Sequence, residues 1–517
     1  MMQRLLDWLR KHKTEAWFIL GGVGVLACYA GMEWILLTST QLAPVHGVVP
    51  ENGIYVRLLG VPLDDVYIHC RYASNLLHGY SYSLNPGETL TADTSPLWVL
   101  MLALAGLMTT HLELATVVLS ILCYLLLAPL VYRICKDVFA LTESNARLAG
   151  WCTVFAGRLA WSGMSGMETA LAVLLLLLAF REHALSMKRG ALGTHEGILL
   201  GLGLLARPEF VFFAGLLFAD WVYAAYRRRV VITNASATLL VFCIVASPAI
   251  LLPLITRNSL VAHSSVVQGA GMHWIPDFEY LFSTVKVMAS SNLLLFVLAL
   301  VAIVLIWKEP FAPLLLALAF GLPLLQAFVA PQGRHHLRYL FPILPLLIII
   351  GVLMWQRMLE LRSLKGWMQR VIPILIILGG VLETGRWAYL TASDVRNIND
   401  EHLAIAHWLN ANLHPTDTLA IDDAGAAAYL TNRRLIDLTG LMTPAIFRVE
   451  DNQDSVWRVA RTMGANMFVI CELYHPSFYI GHKDSLDLVK EFQVRLPLTS
   501  AFSQMGIYRV KETQHGS

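Results

Sequence analysis

Apolar runs of 13 to 24 residues, separated by loops that carry most of the charge, recur along the chain from residue 16 to residue 390. They lie near residues 16–38, 115–135, 147–163, 167–181, 194–206, 209–226, 231–254, 291–307, 311–330, 338–355 and 371–390, and each approaches the roughly 20 residues a helix needs to cross a hydrocarbon core. The pattern predicts a polytopic α-helical membrane protein with about eleven transmembrane helices, the shorter ones borrowing flanking residues. A further run at 96–108 is too short to span and is expected to lie in the interface as an amphipathic or re-entrant segment. The first run is long and lacks a small-residue cleavage pattern, so it reads as a retained anchor.

After residue 392 the pattern changes. Strand-like runs at 418–421, 434–438 and 467–473 alternate with helical periodicity at 402–413 and 455–464, which predicts a small α/β domain. The chain therefore divides into a membrane module over residues 1–392, with a first outer loop at 39–114, and a C-terminal domain over 393–517.

The basic residues set the orientation. Of the 26 Lys and Arg up to Arg370, 18 lie at the N-terminus or in alternate loops, as expected if those segments face the cytoplasm. With an odd number of crossings the N-terminus is cytoplasmic and the C-terminal domain is extracytoplasmic, in the cytoplasmic (inner) membrane of a bacterial-type cell. Composition agrees, with 56% hydrophobic and 14% charged residues, against about 25% charged in average soluble domains. A net charge of +2, dispersed in short clusters, excludes a nucleic-acid partner. Gly22-Val23-Gly24 reads as helix packing, and no nucleotide loop is visible. Of the seven cysteines only Cys70 and Cys471 fall on the oxidising side, either as a bridge or as two inert thiols.

The outward loops then hold Asp64, Asp65, Asp93, Glu168, Arg207, Glu209, Arg334, His335, His336 and Arg338. Asp64 and Asp65 precede a helical pattern in which Val66, Cys70, Ala73, Leu76 and Leu77 share a face and Gly79 is placed to end it. One Asp before a helix serves as an N-cap. Adjacent residues diverge, so one carboxylate is expected to act on substrate while the other caps the helix or orients a neighbour. Tyr67, His69, Arg71, Tyr72 and Asn75 either contact substrate or solvate the polar side of this helix. Glu168 follows a turn between two apolar segments, where an ionisable group needs a cavity or a partner unless interfacial water solvates it. The stretch 332–339, QGRHHLRY, concentrates positive charge on the side where insertion disfavours it. A phosphate ligand accounts for that charge, because guanidinium groups bind phosphate oxygens bidentately; lipid snorkelling is the alternative. Adjacent His335 and His336 lack zinc-ligand spacing.

A carboxylate beside a basic phosphate site, without a nucleotide motif, suits transfer of a sugar from a polyprenyl phosphate to a hydroxyl acceptor. Phosphate leaves without a strong acid, so one base and charge stabilisation suffice.

The run DDVYIHCRYASNLLHGYSYSLNPGETLTADTSPLWVL, with SGMETAL, LARPE, RHHLRYLFPILPL and, more weakly, DDAGAAAYLTNRRLIDLTGL, resembles the GT-C superfamily of polyprenyl-phosphate-dependent glycosyltransferases, most of all the group of mycobacterial terminal arabinofuranosyltransferases. The resemblance implies a catalytic aspartate at Asp64 or Asp65, juxtamembrane helices in the first outer loop, and in some members a divalent cation such as Mg or Mn, here at Asp64 or Asp65. The sequence departs from relatives at Ala92-Asp93-Thr94-Ser95, where Gly-Tyr-Thr is common, so arabinose does not carry over. The expected activity is inverting transfer to a glycan, lipid or protein acceptor; a transporter or flippase of lipid-linked sugars and a non-catalytic envelope scaffold are the competing classes.

Overall fold

The computed structural model describes residues 12–38, 60–88, 93–190, 193–227, 232–257, 274–329, 335–361, 364–431, 433–472, 476–494 and 504–511. Among these, seven helices are long and apolar enough to cross a membrane. A bent pair raises the number to eight. The seven are Lys13–Leu37, Leu112–Asp137, Thr169–Arg189, Ser236–Leu254, Ala312–Val329, His335–Glu360 and Gly366–Asn412, and three shorter apolar helices, Pro96–Gly106, Thr194–Ala206 and Phe210–Tyr226, accompany them.

Where the expected spans differ, local chemistry explains the difference. The run 147–163 is broken into Glu143–Val154 and Gly157–Met164. Its chain break at Phe155–Ala156 is held from outside the run, with the Thr384 hydroxyl donating to the Phe155 carbonyl at 3.0 Å and the Gly157 amide donating to Glu383 Oε2 at 2.7 Å. The run 291–307 becomes one arm of the Phe278–Ser291 and Leu293–Leu305 pair, bent by 118°. Asn292 makes the corner: its backbone is extended, and its side chain caps the second arm by accepting from the Leu295 amide. Residues 96–106 form a helix of 11 residues, too short to span.

The C-terminal domain carries a five-stranded sheet in the order β2-β1-β3-β5-β4. Here β1 is Leu419–Ile421, β2 Leu435–Asp437, β3 Met467–Ile470, β4 Leu486–Gln493 and β5 Gln504–Val510. β1, β2 and β3 run parallel, while β5 joins β3 and β4 antiparallel. Alternation along the strands divides the sheet between two cores. Ala420, Ile436, Phe468 and Ile470 pack under the helices of the domain itself. Leu419, Ile421, Leu435, Met467 and Val469 belong to the same apolar core as the membrane helices. One face of the sheet is thus sealed onto the membrane module.

The described part of the segment between the first two long helices lies at that junction. Its helix, Asp65–Leu77, ends at Gly79, whose φ of +76° suits only glycine without strain. The helix is buried on most sides, polar residues included. Arg71 Nε donates to the Leu84 carbonyl at 3.0 Å, and Asn75 donates to the carbonyls of Ser83 and Leu84. Asn85 then pairs both ways with the backbone of Leu435 in β2, at 2.9 and 3.0 Å. Cys70 and Cys471 are separate buried thiols, so the bridge alternative falls.

Candidate active site

An open cleft lies beside the start of the Asp65–Leu77 helix. Its charged lining comes from four separate parts of the chain: Asp65, His69 and Asp93 from the first outer loop, Glu168 from the turn before the Thr169–Arg189 helix, Arg207 and Glu209 from the turn between two short helices, and Arg338 with Tyr339 from the segment before Leu344–Glu360. Leu441 and Met442 of the C-terminal domain close one side.

The charges are matched in pairs. Arg338 Nη2 donates to Asp65 Oδ2 at 2.6 Å. Arg207 binds Glu168 Oε1 at 2.7 Å and donates to the Thr169 hydroxyl at 2.8 Å. His69 bridges two acids, with Nδ1 2.6 Å from Asp93 Oδ2 and Nε2 3.4 Å from Glu168 Oε2. Asp93 is oriented in turn by the Ser95 amide at 2.6 Å and the Tyr82 hydroxyl at 3.1 Å. The guanidinium groups of Arg207 and Arg338 flank the Tyr339 ring at 5.1 and 5.4 Å.

These contacts set the protonation states. Burial disfavours the Asp65 carboxylate, but Arg338, His335 and His69 together hold it below the usual carboxylate range. Glu168 is held low by Arg207 and His69 against the same burial. Burial works against a charged His69, yet Asp93 and Glu168 push it up to about 10, so it stands as an imidazolium between two carboxylates. Glu209 differs: burial raises it, and its Oε2 has no hydrogen-bond partner among the described residues.

Two cations keep capacity in reserve. Nε and Nη1 of Arg338 and Nη1 of Arg207 are buried without an acceptor among the described residues. Leaving such donors unmatched is costly. The lining can therefore take an anion with several oxygens, and phosphate is the matching shape.

The segment that delivers Arg338 is strained. His335, His336 and Leu337 all take left-handed backbone, with φ of 50°, 59° and 56°, which costs about 1 to 3 kcal/mol per non-glycine residue. Packing enforces it: His336 Nε2 sits 2.9 Å from Asp394 Oδ2, which also accepts from the Trp161 indole at 3.1 Å, and the His336 ring stands edge-on against Trp161 and Trp387.

The two adjacent aspartates face different ways. Asp65 opens into the cleft, whereas Asp64 turns to the C-terminal domain and accepts from the amides of Gly425 at 2.6 Å and Ala426 at 2.8 Å. It caps the Gly425–Thr431 helix, and a Cβ at Gly425 would stand only 2.3 Å from Asp64 Oδ2. Of the other residues singled out from sequence, Glu168, Arg207 and Arg338 line the cleft, and His335 lies near enough to Asp65 to influence it. His336 faces Asp394 instead. Tyr67 packs on Tyr429, Arg71 holds the Leu84 carbonyl, and Tyr72 packs on Tyr82 with its hydroxyl 3.9 Å from Met442 Sδ, so these three stand outside the lining. Arg334 lies outside the described residues. The sequence reading gave no role to His69 with Asp93, to Tyr339 or to Leu441 and Met442, because their partners lie far away in the chain.

The cleft does not suit a divalent cation. Its carboxylates Asp65, Asp93 and Glu168 are each engaged by a cation of the protein, the fourth, Glu209, stands without an ion pair among the described residues, and no three His, Cys, Asp or Glu ligand atoms converge there among those residues. The reaction considered below therefore contains no step through a metal.

Comparison with known proteins gives the wider frame. A family profile described as "Domain of unknown function (DUF8728)" matches residues 395–510, and no curated protein sequence matches the chain. The structure is similar to that of ArnT from Cupriavidus metallidurans bound to undecaprenyl phosphate, with a TM-score of 0.61, 11% identity, and coverage of 97% of this chain and 99% of that one. It is also similar to an archaeal oligosaccharyltransferase, AglB from Archaeoglobus fulgidus in complex with an inhibitory peptide and a dolichol-phosphate, with a TM-score of 0.53, 14% identity, and coverage of 91% and 71%. The mycobacterial arabinofuranosyltransferase AftD aligns over 97% of this chain and 40% of its own at a TM-score of 0.47 and 14% identity. With apolar helices long enough to span a bilayer and this architecture around them, the chain is a polytopic membrane protein with the fold of the GT-C glycosyltransferases.

Proposed function

We propose that the protein is an inverting glycosyltransferase that moves a sugar from a polyprenyl-phosphate donor to a hydroxyl acceptor at the extracytoplasmic face of the cytoplasmic membrane. The observation that carries this reading is the Asp65–Arg338 pair at the mouth of a cleft where Arg338 and Arg207 retain unmatched guanidinium N–H groups. Solved proteins of this fold include one bound to undecaprenyl phosphate and one bound to a dolichol-phosphate, which supports a polyprenyl phosphate as the donor carrier here.

The chemistry follows from the pairing. A phosphate arriving between Arg207 and Arg338 offers several anionic oxygens where Asp65 offers one carboxylate, so it competes for Arg338. Asp65 is thereby released to accept the proton of the acceptor hydroxyl, whose oxygen attacks the anomeric carbon as the bond to the phosphate oxygen breaks. The two arginines hold the charge that develops on the departing polyprenyl phosphate. His69 fixes Glu168 and Asp93 in place, and Glu168 keeps Arg207 aimed at the phosphate. A positioned base of this kind contributes about 10²- to 10⁴-fold.

The transporter reading expects its ionisable groups near mid-membrane in broken helices, whereas the acids and arginines of this cleft sit between the long apolar helices or at their ends. The test compares Asp65→Asn and Asp64→Asn in membranes with a lipid-linked sugar donor. The first should abolish transfer while the protein still inserts, and the second should retain chemistry in whatever fraction stays folded. Full activity of Asp65→Asn removes the assignment.

A further inference from the structure

A second cluster of ionisable groups lies outside the cleft, where the C-terminal domain meets the first outer helix. Asp64 reaches it from the membrane module, His402 from a π-helical turn at Asn399–Leu403, and Asp423 from the loop after β1. One ligand atom from each stands within 4.8 Å of the others. His402 Nε2 is 2.9 Å from Asp423 Oδ2, and His402 is only 5% exposed.

Three further observations point to a cation. Among the described residues neither Asp64 nor Asp423 has a Lys or Arg within ion-pair distance, although two carboxylates share the spot. The other ring nitrogen of His402, Nδ1, has no hydrogen-bond partner among the described residues and faces Glu401 Oε2 at 3.7 Å. A carboxylate on the far side of the ring is a common companion of a metal-ligating histidine, and Glu401 stands there, beyond hydrogen-bond distance. The π-helical turn that sets both residues is a local irregularity of a kind often found at functional sites.

We infer that Asp64, His402 and Asp423 bind one divalent transition-metal ion that clamps the C-terminal domain onto the first outer helix. One imidazole nitrogen and two carboxylates form a mixed donor set suited to Zn2+ or Mn2+ and poorly suited to Mg2+, which favours oxygen ligands and its own waters. Each Asp64 oxygen already accepts one backbone N–H and keeps a lone pair for the ion. The ion is a structural one, and its presence is independent of the transfer reaction proposed for the cleft.

The test uses the full chain in detergent or nanodiscs, purified without chelator. Elemental analysis should find close to one equivalent of Zn or Mn per chain, and His402→Ala or Asp423→Asn should lower it at least tenfold. Stripping wild-type protein with EDTA should lower the Tm by several degrees, and Zn2+ or Mn2+ alone should restore it while Mg2+ alone should not. If both variants fail to accumulate, this wild-type comparison decides alone. Metal retained in both variants, or one Tm for stripped and resupplied protein, would mean that Asp64 and Asp423 merely share a proton, and the inference would fall.

Discussion

Asp64 and Asp65 are neighbours in sequence and belong to different parts of the molecule. Asp65 faces an open cleft where Asp65, Asp93 and Glu168 are each matched by a cation and where two arginines still have N–H groups to offer. Asp64 faces a closed junction where backbone amides of another domain hold it. The first environment leaves a carboxylate exchangeable, since its partner can be taken by an incoming anion. The second fixes a carboxylate in place and uses it to join two parts of the fold. One extra residue at the start of a helix is enough to separate reaction from assembly, because consecutive side chains point in different directions.

The strongest break of this contrast is at Asp65. Asp65→Asn keeps the size of the side chain and removes the base, so the transfer rate should fall about 10²- to 10⁴-fold with donor binding intact, as read by single-turnover assay. Next in size is Arg338→Gln, which removes the competing partner of both Asp65 and phosphate. Donor KM should rise at least about tenfold, in line with the cost of truncating one member of a buried charge pair, and Arg338→Lys should recover only part because it lacks the bidentate fork.

On the other side of the contrast the effects belong to stability. Asp64→Ala removes the cap of the Gly425–Thr431 helix and should cost about 0.5 to 2 kcal/mol, seen as easier proteolysis of the C-terminal domain. Gly425→Ala should mimic it, because the new methyl would meet Asp64 Oδ2 and Asp64 O at 2.3 Å. If either substitution leaves domain docking unchanged but removes transfer, the roles assigned to the two aspartates are reversed.

The smallest effect is one of pH. The folded value of His69, about 10, lies above its ordinary 6.5. Its contribution is therefore complete below about pH 6.5 and lost as pH rises through 10. Wild-type protein should lose stability relative to His69→Gln across that window in denaturation measured against pH. Asp65, shifted down, has the opposite sign and loses its contribution only in acid, as pH falls below 3.8 toward its lowered folded value.

Much of this was legible in the sequence, for identifiable reasons. Apolar periodicity carries the membrane helices, and the strand runs at 418–421, 434–438 and 467–473 reappear as β1, β2 and β3 because alternation reports a two-faced sheet directly. The acids and arginines of the cleft stood out because charge next to apolar spans demands a partner. What the sequence hid was partnership across distance. The departure at Asp93 reads as a loss of Gly-Tyr-Thr, and only the fold shows that this carboxylate holds His69. The helix face of Tyr67, Arg71 and Tyr72 reads as polar and open, yet the C-terminal domain and the loop at Ser83–Asn85 cover it. The break at Phe155 depends on contacts that no window of local sequence contains, and the Asn292 side chain, a local cap for Leu295, also donates to the distant Ile376 carbonyl at 2.8 Å.

The central claim is that Arg338 and Arg207 hold the carrier phosphate while Asp65 competes for the same guanidinium. Native mass spectrometry of the purified protein titrated with undecaprenyl phosphate tests it most directly. The account predicts binding that is lost in Arg338→Gln and Arg207→Gln and kept or tightened in Asp65→Asn, whereas equal binding by wild type and both arginine variants would contradict it.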